Sequence, residues 1–104
     1  MAFRVVVTQK AQLDIDEHTQ YIAEDSPTAA ARWKAELQDL ILSLDEMPSR
    51  FSIIPESERL KLPYRSALHY SHRVIFRVDE AANTVYVSRV YHGFRKPINR
   101  REML

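Results

Sequence analysis

The chain has 104 residues, 45% of them hydrophobic and 28% charged, with no cysteine and a formal charge of +1. That length fits one domain with a self-supporting core. The lack of cysteine excludes disulfide frameworks, thiolate zinc sites and cysteine nucleophiles, and the balanced charge with normal apolar content excludes a disordered chain.

Ala2 to Thr8 is apolar and β-branched and reads as a strand. Thr8 is placed to cap a helix over 9–24, whose stripe is Ala11, Ile15, His18 and Ile22, with Tyr21 beside it. Asp25-Ser26-Pro27 ends that helix, and Ser26 caps a second one with Pro27 at its first position. The second helix is expected to run to about Glu46, with a stripe of Ala30, Trp33, Leu37, Leu40, Ile41, Leu44 and Met47. A three-residue connector implies an antiparallel helical hairpin. Residues 48–63 contain Pro48, Pro55 and Pro63 without a clear period and read as a loop.

Three strands follow. Leu62 to Leu68 is a short candidate, and His72 to Val78 is the clearest, with Val74, Phe76 and Val78 on one face and Arg73, Ile75 and Arg77 on the other. Asp79 to Asn83 forms a hairpin loop leading to Thr84–His92. The phase of that last strand slips, which predicts a bulge or twist near Ser88. Gly93, the only glycine, follows it, and a basic tail closes the chain. The expected fold is α+β, in the order β-α-α-β-β-β, with the helical hairpin packed on one face of a small, mainly antiparallel sheet. The other sheet face is expected to stay open to water and to be basic.

The near-zero charge conceals a division. Residues 1–60 hold six basic and eleven acidic residues, a net −5, whereas residues 61–104 hold nine basic and three acidic, a net +6. That asymmetry points to an anionic partner for the second half, or to two halves that solvate one another. No apolar run approaches ~18 residues, so no membrane helix is expected. The start of the chain is too short for a signal h-region, so a cytoplasmic location is expected.

Arginine carries most of the candidate chemistry. Arg65, Arg73, Arg77 and Arg89 fall on the strands, where a row of guanidinium groups suits phosphate or carboxylate. The alternative role for such charges is protection of sheet edges. His92, beside Tyr91, could exchange a proton near neutral pH. His18 reads as a packed or boundary residue, and Trp33 and Tyr21 as core or boundary aromatics. His69 and His72 stand three apart on an extended segment, which predicts opposite faces, and no carboxylate completes a metal-ligand spacing. Glu56 and Glu58 are solvated loop charges unless the loop folds over the sheet, in which case one could be a base. There is no glycine-rich phosphate loop and no serine hydrolase pattern. No cofactor or metal is expected. The tail Phe94-Arg95-Lys96 onward could contact nucleic acid or an acidic partner.

An ordered set of segments carries a resemblance. It comprises Ala11-Gln12-Leu13-Asp14-Ile15, Tyr21-Ile22-Ala23, Ser26 to Trp33, Ile41-Leu42-Ser43-Leu44 with Met47-Pro48, Tyr64-Arg65, Arg73 to Val78, and Val90-Tyr91-His92-Gly93. With these the chain resembles, over nearly its whole length, the RelE/ParE superfamily of toxins from bacterial type II toxin–antitoxin modules. The resemblance implies a single cytoplasmic toxin domain over 1–104 and a cognate antitoxin that wraps it. It also implies contact with operator DNA through that antitoxin. One branch cleaves mRNA on the ribosome with basic residues and often a histidine or tyrosine. The ParE branch poisons DNA gyrase and is not known as a nuclease.

Arg73 matches the arginine that opens the central strand motif and His92 the histidine near the last strand's end; both would be catalytic in a nuclease. Gly93 stands where nuclease toxins of the His–Tyr type place an aromatic. The His–Gly–X–Arg ending with Arg95 is more similar to the ParE branch. On that reading Arg65, Arg77, Arg89, Tyr91, Arg95 and Lys96 bind the target. An mRNA endonuclease is the alternative, and a third is an inactive homologue kept as a repression partner.

Overall fold

A computed structural model describes residues 2–93 and Met103. In chain order the elements are β1 (Arg4–Val7), α1 (Gln9–Asp25), α2 (Pro27–Leu42), α3 (Ser57–Leu60), β2 (Arg65–His69), β3 (His72–Asp79) and β4 (Thr84–His92). The strands form one sheet in the order β1-β4-β3-β2, with β1 parallel to β4 and the other pairs antiparallel. The architecture is the expected α+β arrangement of a helical hairpin on a mainly antiparallel sheet.

Both helix starts are fixed by side-chain caps. Thr8 Oγ1 accepts the Ala11 N–H at 3.3 Å, and Ser26 Oγ accepts the Ala29 N–H at 3.2 Å. The connector between the helices is shorter than the three residues expected, because Ser26 alone both terminates α1 and caps α2. The second helix also ends earlier than Glu46. It gives way at Leu42 to a 3₁₀ turn over Ser43–Asp45, and Met47 adopts a left-handed backbone with φ 46°. The tighter turn rotates the apolar stripe, so Leu44 is buried while Met47 is 76% exposed rather than part of the stripe.

The principal core lies between the hairpin and the sheet. Ala11 and Ile15 of α1 and Trp33, Leu37 and Ile41 of α2 pack on Val74, Phe76, Val85, Val87 and Val90. A bulge sets that last phase. Ile75 pairs with Arg89 but Phe76 pairs with Val87, leaving Ser88 as the extra residue, where the slipping pattern placed it. The extra residue lets Val85, Val87 and Val90 all enter the same core while Tyr91 turns to the opposite face.

That opposite face is not the open basic surface expected. The later part of the 48–63 segment, with the short helix α3, folds across it, while the 3₁₀ turn over Pro48–Arg50 leads in from the side of the principal core, where Phe51 packs edge-on to Phe76. Ile54, Leu60 and Tyr64 pack on Ile75 and Tyr91 to make a second apolar cluster, joined by Met103. The physical reason is visible in the strand itself. Ile75 sits between Arg73 and Arg77 and is fully buried, and an isoleucine on that face needs a cover. The segment is held by local bonds: Ser57 Oγ donates to the Tyr64 carbonyl at 2.9 Å, and the Ile54 N–H donates to the same carbonyl at 2.9 Å.

Candidate functional site

β1 pairs only with Thr84–Val87, so β4 extends beyond its neighbour from Ser88 to His92. α1 runs beside this overhang, and a groove of about 620 Å³ opens between them. Asp14, Glu17, His18 and Tyr21 line it from α1, at spacings that keep them on one side of a helix. His72 enters from β3, and Arg89, Val90, Tyr91 and His92 from β4.

Asp14 organises the overhang. Its carboxylate accepts Arg89 Nε and Nη2 at 2.8 Å each and the Val90 backbone N–H at 3.0 Å. The last bond satisfies a donor on the stretch of β4 that lies past the end of β1. The Arg89 guanidinium also lies 4.3 Å from the centre of the Tyr91 ring.

The imidazoles gather at the same end. His69 and His72 are direct cross-strand partners on either side of the Tyr70-Ser71 turn, so they share a face instead of opposing each other as the extended spacing suggested. The His18 ring centre lies 4.0 Å from His72, and the His92 centre lies 5.2 Å from His72. Trp33 packs 4.7 Å from His18 and 5.3 Å from His69, whose Nε2 is 3.0 Å from the Trp33 carbonyl oxygen. Burial, reinforced by His18, His92 and His69 and opposed by Asp14, pushes His72 down to about 4. Burial also lowers His18, with His92 adding to the effect. His18 is packed and partly buried, as its place on the stripe indicated, and Trp33 is core, but Tyr21 is 69% exposed rather than core or boundary, because it stands beside the stripe on the side of α1 that faces the groove. Among the described residues no group of three or more His, Asp or Glu is placed to hold a metal ion.

The arginines are distributed, not aligned as a phosphate-binding row. Arg73 forms an ion pair with Glu56 at 3.0 Å beneath the 48–63 segment, the two side chains being 17% and 10% exposed. Its Nε is buried without a hydrogen-bond partner among the described residues. Arg65 donates to the Phe51 carbonyl at 2.6 Å and to the Ser49 carbonyl at 3.3 Å, anchoring that segment to β2. Arg77 stacks over Tyr86 at 4.7 Å. Of the residues expected to bind or catalyse, Arg89, Tyr91 and His92 meet in the groove among the described residues, joined by His18, Tyr21 and His72, which were read as structural or unpaired. Arg95 and Lys96 lie outside the described residues.

Sequence reasoning missed Asp14 and Glu17 as groove residues. Their helical spacing with His18 and Tyr21 was readable, but the partner Arg89 is 75 positions from Asp14 along the chain. Glu56 was read as a solvated loop charge, and the fold of its loop over the sheet overturns that expectation. Gly93 has a steric reason to be glycine. Its N–H donates to the Ser71 carbonyl at 2.5 Å, and a Cβ there would lie 2.9 Å from the same oxygen.

Comparison with known proteins accords with this geometry. A family model described as the ParE toxin of the type II toxin–antitoxin system, parDE, matches residues 5–97. Toxin RelE1 of Caulobacter vibrioides is 29% identical over 97 residues, covering 92% of this chain and 99% of that protein. Among solved structures, the Mycobacterium tuberculosis RelBE2 toxin–antitoxin complex matches with a TM-score of 0.62 and 22% identity, over 88% of this chain and 92% of that one. The chromosomal ParDE system of Pseudomonas aeruginosa matches with a TM-score of 0.69 and 17% identity, over 88% of this chain and 96% of that one. The fold is thus shared with toxins carrying both names, and the chain belongs to the ParE toxin family of type II toxin–antitoxin systems, within the RelE/ParE superfamily.

Proposed function

We propose that this toxin acts by binding rather than by cutting RNA, as a ParE-like inhibitor of DNA gyrase in the cytoplasm. A cognate antitoxin neutralises it, and the pair reaches operator DNA through the antitoxin. The observation that carries this reading is the Arg73–Glu56 ion pair. The arginine that would hold a scissile phosphate is bound to a carboxylate beneath the 48–63 segment. Nor does the glycine after His92 supply an acid or a base. Among the described residues no helix is long and apolar enough to cross a membrane, which is compatible with a cytoplasmic target.

One feature favours the second reading, metal-independent cleavage of mRNA on the ribosome. His18, His72 and His92 gather with Arg89 around a single groove, so a proton-transfer group and a cation stand side by side.

The two readings separate in one experiment. The purified chain is assayed in parallel for inhibition of gyrase supercoiling and for cleavage of labelled mRNA on translating ribosomes. Inhibited supercoiling with intact mRNA is expected. Cut mRNA with unaffected supercoiling overturns the proposal.

A further inference from the structure

The surface of α1 that borders the groove carries two large exposed side chains around a carboxylate. Leu13, Glu17 and Tyr21 recur every fourth residue and so form one stripe, and all three are exposed, Leu13 by 59% and Tyr21 by 69%. Large apolar side chains repeated along one stripe beside a concavity mark a place where another chain can sit.

We propose that the groove between α1 and the overhang of β4 is a docking pocket for an arginine side chain presented by a protein partner. The inference rests on the binding reading, because mRNA cleavage in this same groove would require it to admit a phosphate chain.

Charge selects the occupant. Of the charged groups that line the groove, Asp14 and Arg89 cancel in their ion pair. Glu17 remains, exposed and without an ion pair among the described residues. His18 and His72 have lowered affinity for protons and are neutral at pH 7, so they do not oppose an incoming cation. Among the described residues the lining therefore carries one surplus carboxylate, even though it lies at the end of the basic half of the chain. Its surplus carboxylate repels a phosphate chain and attracts a guanidinium.

Ring geometry selects arginine over lysine. His18 and Tyr21 stack at 5.8 Å with planes 26° apart, and His92 stands at the far side of His72. A planar guanidinium stacks on such ring faces while its N–H fork meets a carboxylate; a compact ammonium does only the second. The volume of about 620 Å³ exceeds one side chain and leaves room for the partner backbone that carries it. Leu13, farther along the same stripe, offers an apolar contact to a residue flanking the arginine.

The test uses the purified full-length chain and three probes: capped arginine, its neutral isostere capped citrulline, and a short oligouridylate. Ring signals of His18, Tyr21 and His92 are followed by NMR during each titration. Capped arginine is expected to give saturable shifts at these rings, with affinity about threefold or more above citrulline, the scale of one exposed ion pair. Glu17→Gln should bring arginine down to the citrulline level. Tyr21→Leu should weaken both probes, and neither exposed substitution should change the thermal midpoint. Equal binding of citrulline and arginine overturns the proposal. So does undiminished binding by Glu17→Gln, or ring shifts produced by the oligonucleotide alone.

Discussion

Arg73 on β3 and Glu56 on the covering segment meet at 3.0 Å, with both side chains largely withdrawn from solvent. Seventeen positions separate them, and the ion pair fixes the segment over the sheet at the point where Ile75 and Tyr91 need cover. Breaking a buried ion pair by removing one member typically costs about 3–5 kcal/mol. Glu56→Leu and Arg73→Met singly should each lower stability on that scale in urea unfolding. The double variant should recover most of the loss, because both charges are then gone. Additive losses in the double variant would show that the pairing is not what holds the segment.

A second long-range pair ties the neighbouring strand β4 to α1. Asp14 binds Arg89 twice and also takes the Val90 N–H. Asp14→Ala removes three bonds, two of them to the largely buried Arg89 guanidinium, so a loss of about 3 kcal/mol is expected. Amide exchange should show where the loss arises. Protection should fall first at Val90 and its neighbours on β4, and a uniform fall across the sheet would contradict the local role of Asp14.

Gly93 is held by the Ser71 carbonyl of the β2–β3 turn. A methyl group would meet backbone, which cannot swing aside like a side-chain tip. Gly93→Ala should therefore destabilise by about 1–3 kcal/mol, the usual cost of overpacking. For a domain of this size that lowers the thermal midpoint by roughly 4–8 °C per kcal/mol. An unchanged midpoint by calorimetry would show that the turn yields without strain.

The buried imidazole of His72 makes stability depend on acidity. Its value falls from the ordinary 6.5 to about 4 because burial and the facing His18, His69 and His92 disfavour its charge, while Asp14 favours it weakly. Between those two values the unfolded chain binds a proton that the folded chain refuses, so unfolding is favoured as the pH drops. Above pH 6.5 the ring is neutral in both states and this contribution is flat. Stability should thus decline as pH falls from about 6.5 toward about 4. His72→Phe should flatten that decline in urea titrations at several pH values, and an equally steep decline in the variant would exclude His72 as its source.

Local physics was readable along the chain. Thr8 and Ser26 announced their caps, the stripes of both helices appeared at the right period, and the slipping phase at Ser88 located the bulge. Each is a property of a few neighbouring residues: a hydroxyl near unpaired N–H groups, an apolar repeat, an alternation that fails once. The family resemblance was readable for a related reason, since it rests on the order of such local segments.

The site was much less legible. Arg73, Arg77, Arg65 and Arg89 read as one basic row, because strand alternation tells which residues share a face but not what covers it. Only folding brought Glu56 onto Arg73, loop carbonyls onto Arg65 and Asp14 onto Arg89. His69 and His72 changed from opposed to facing when a two-residue turn paired them across strands. Sequence by itself determined the two long helices, their N-caps, the strands and most of the apolar faces, since those follow from interactions within a few residues, but not the early end of α2 or the turns of the 48–63 segment. Tertiary structure alone decided which charges are spent on internal pairing and which, like Glu17, stay exposed at the groove, because a charge is assigned its role by neighbours that are distant in the chain.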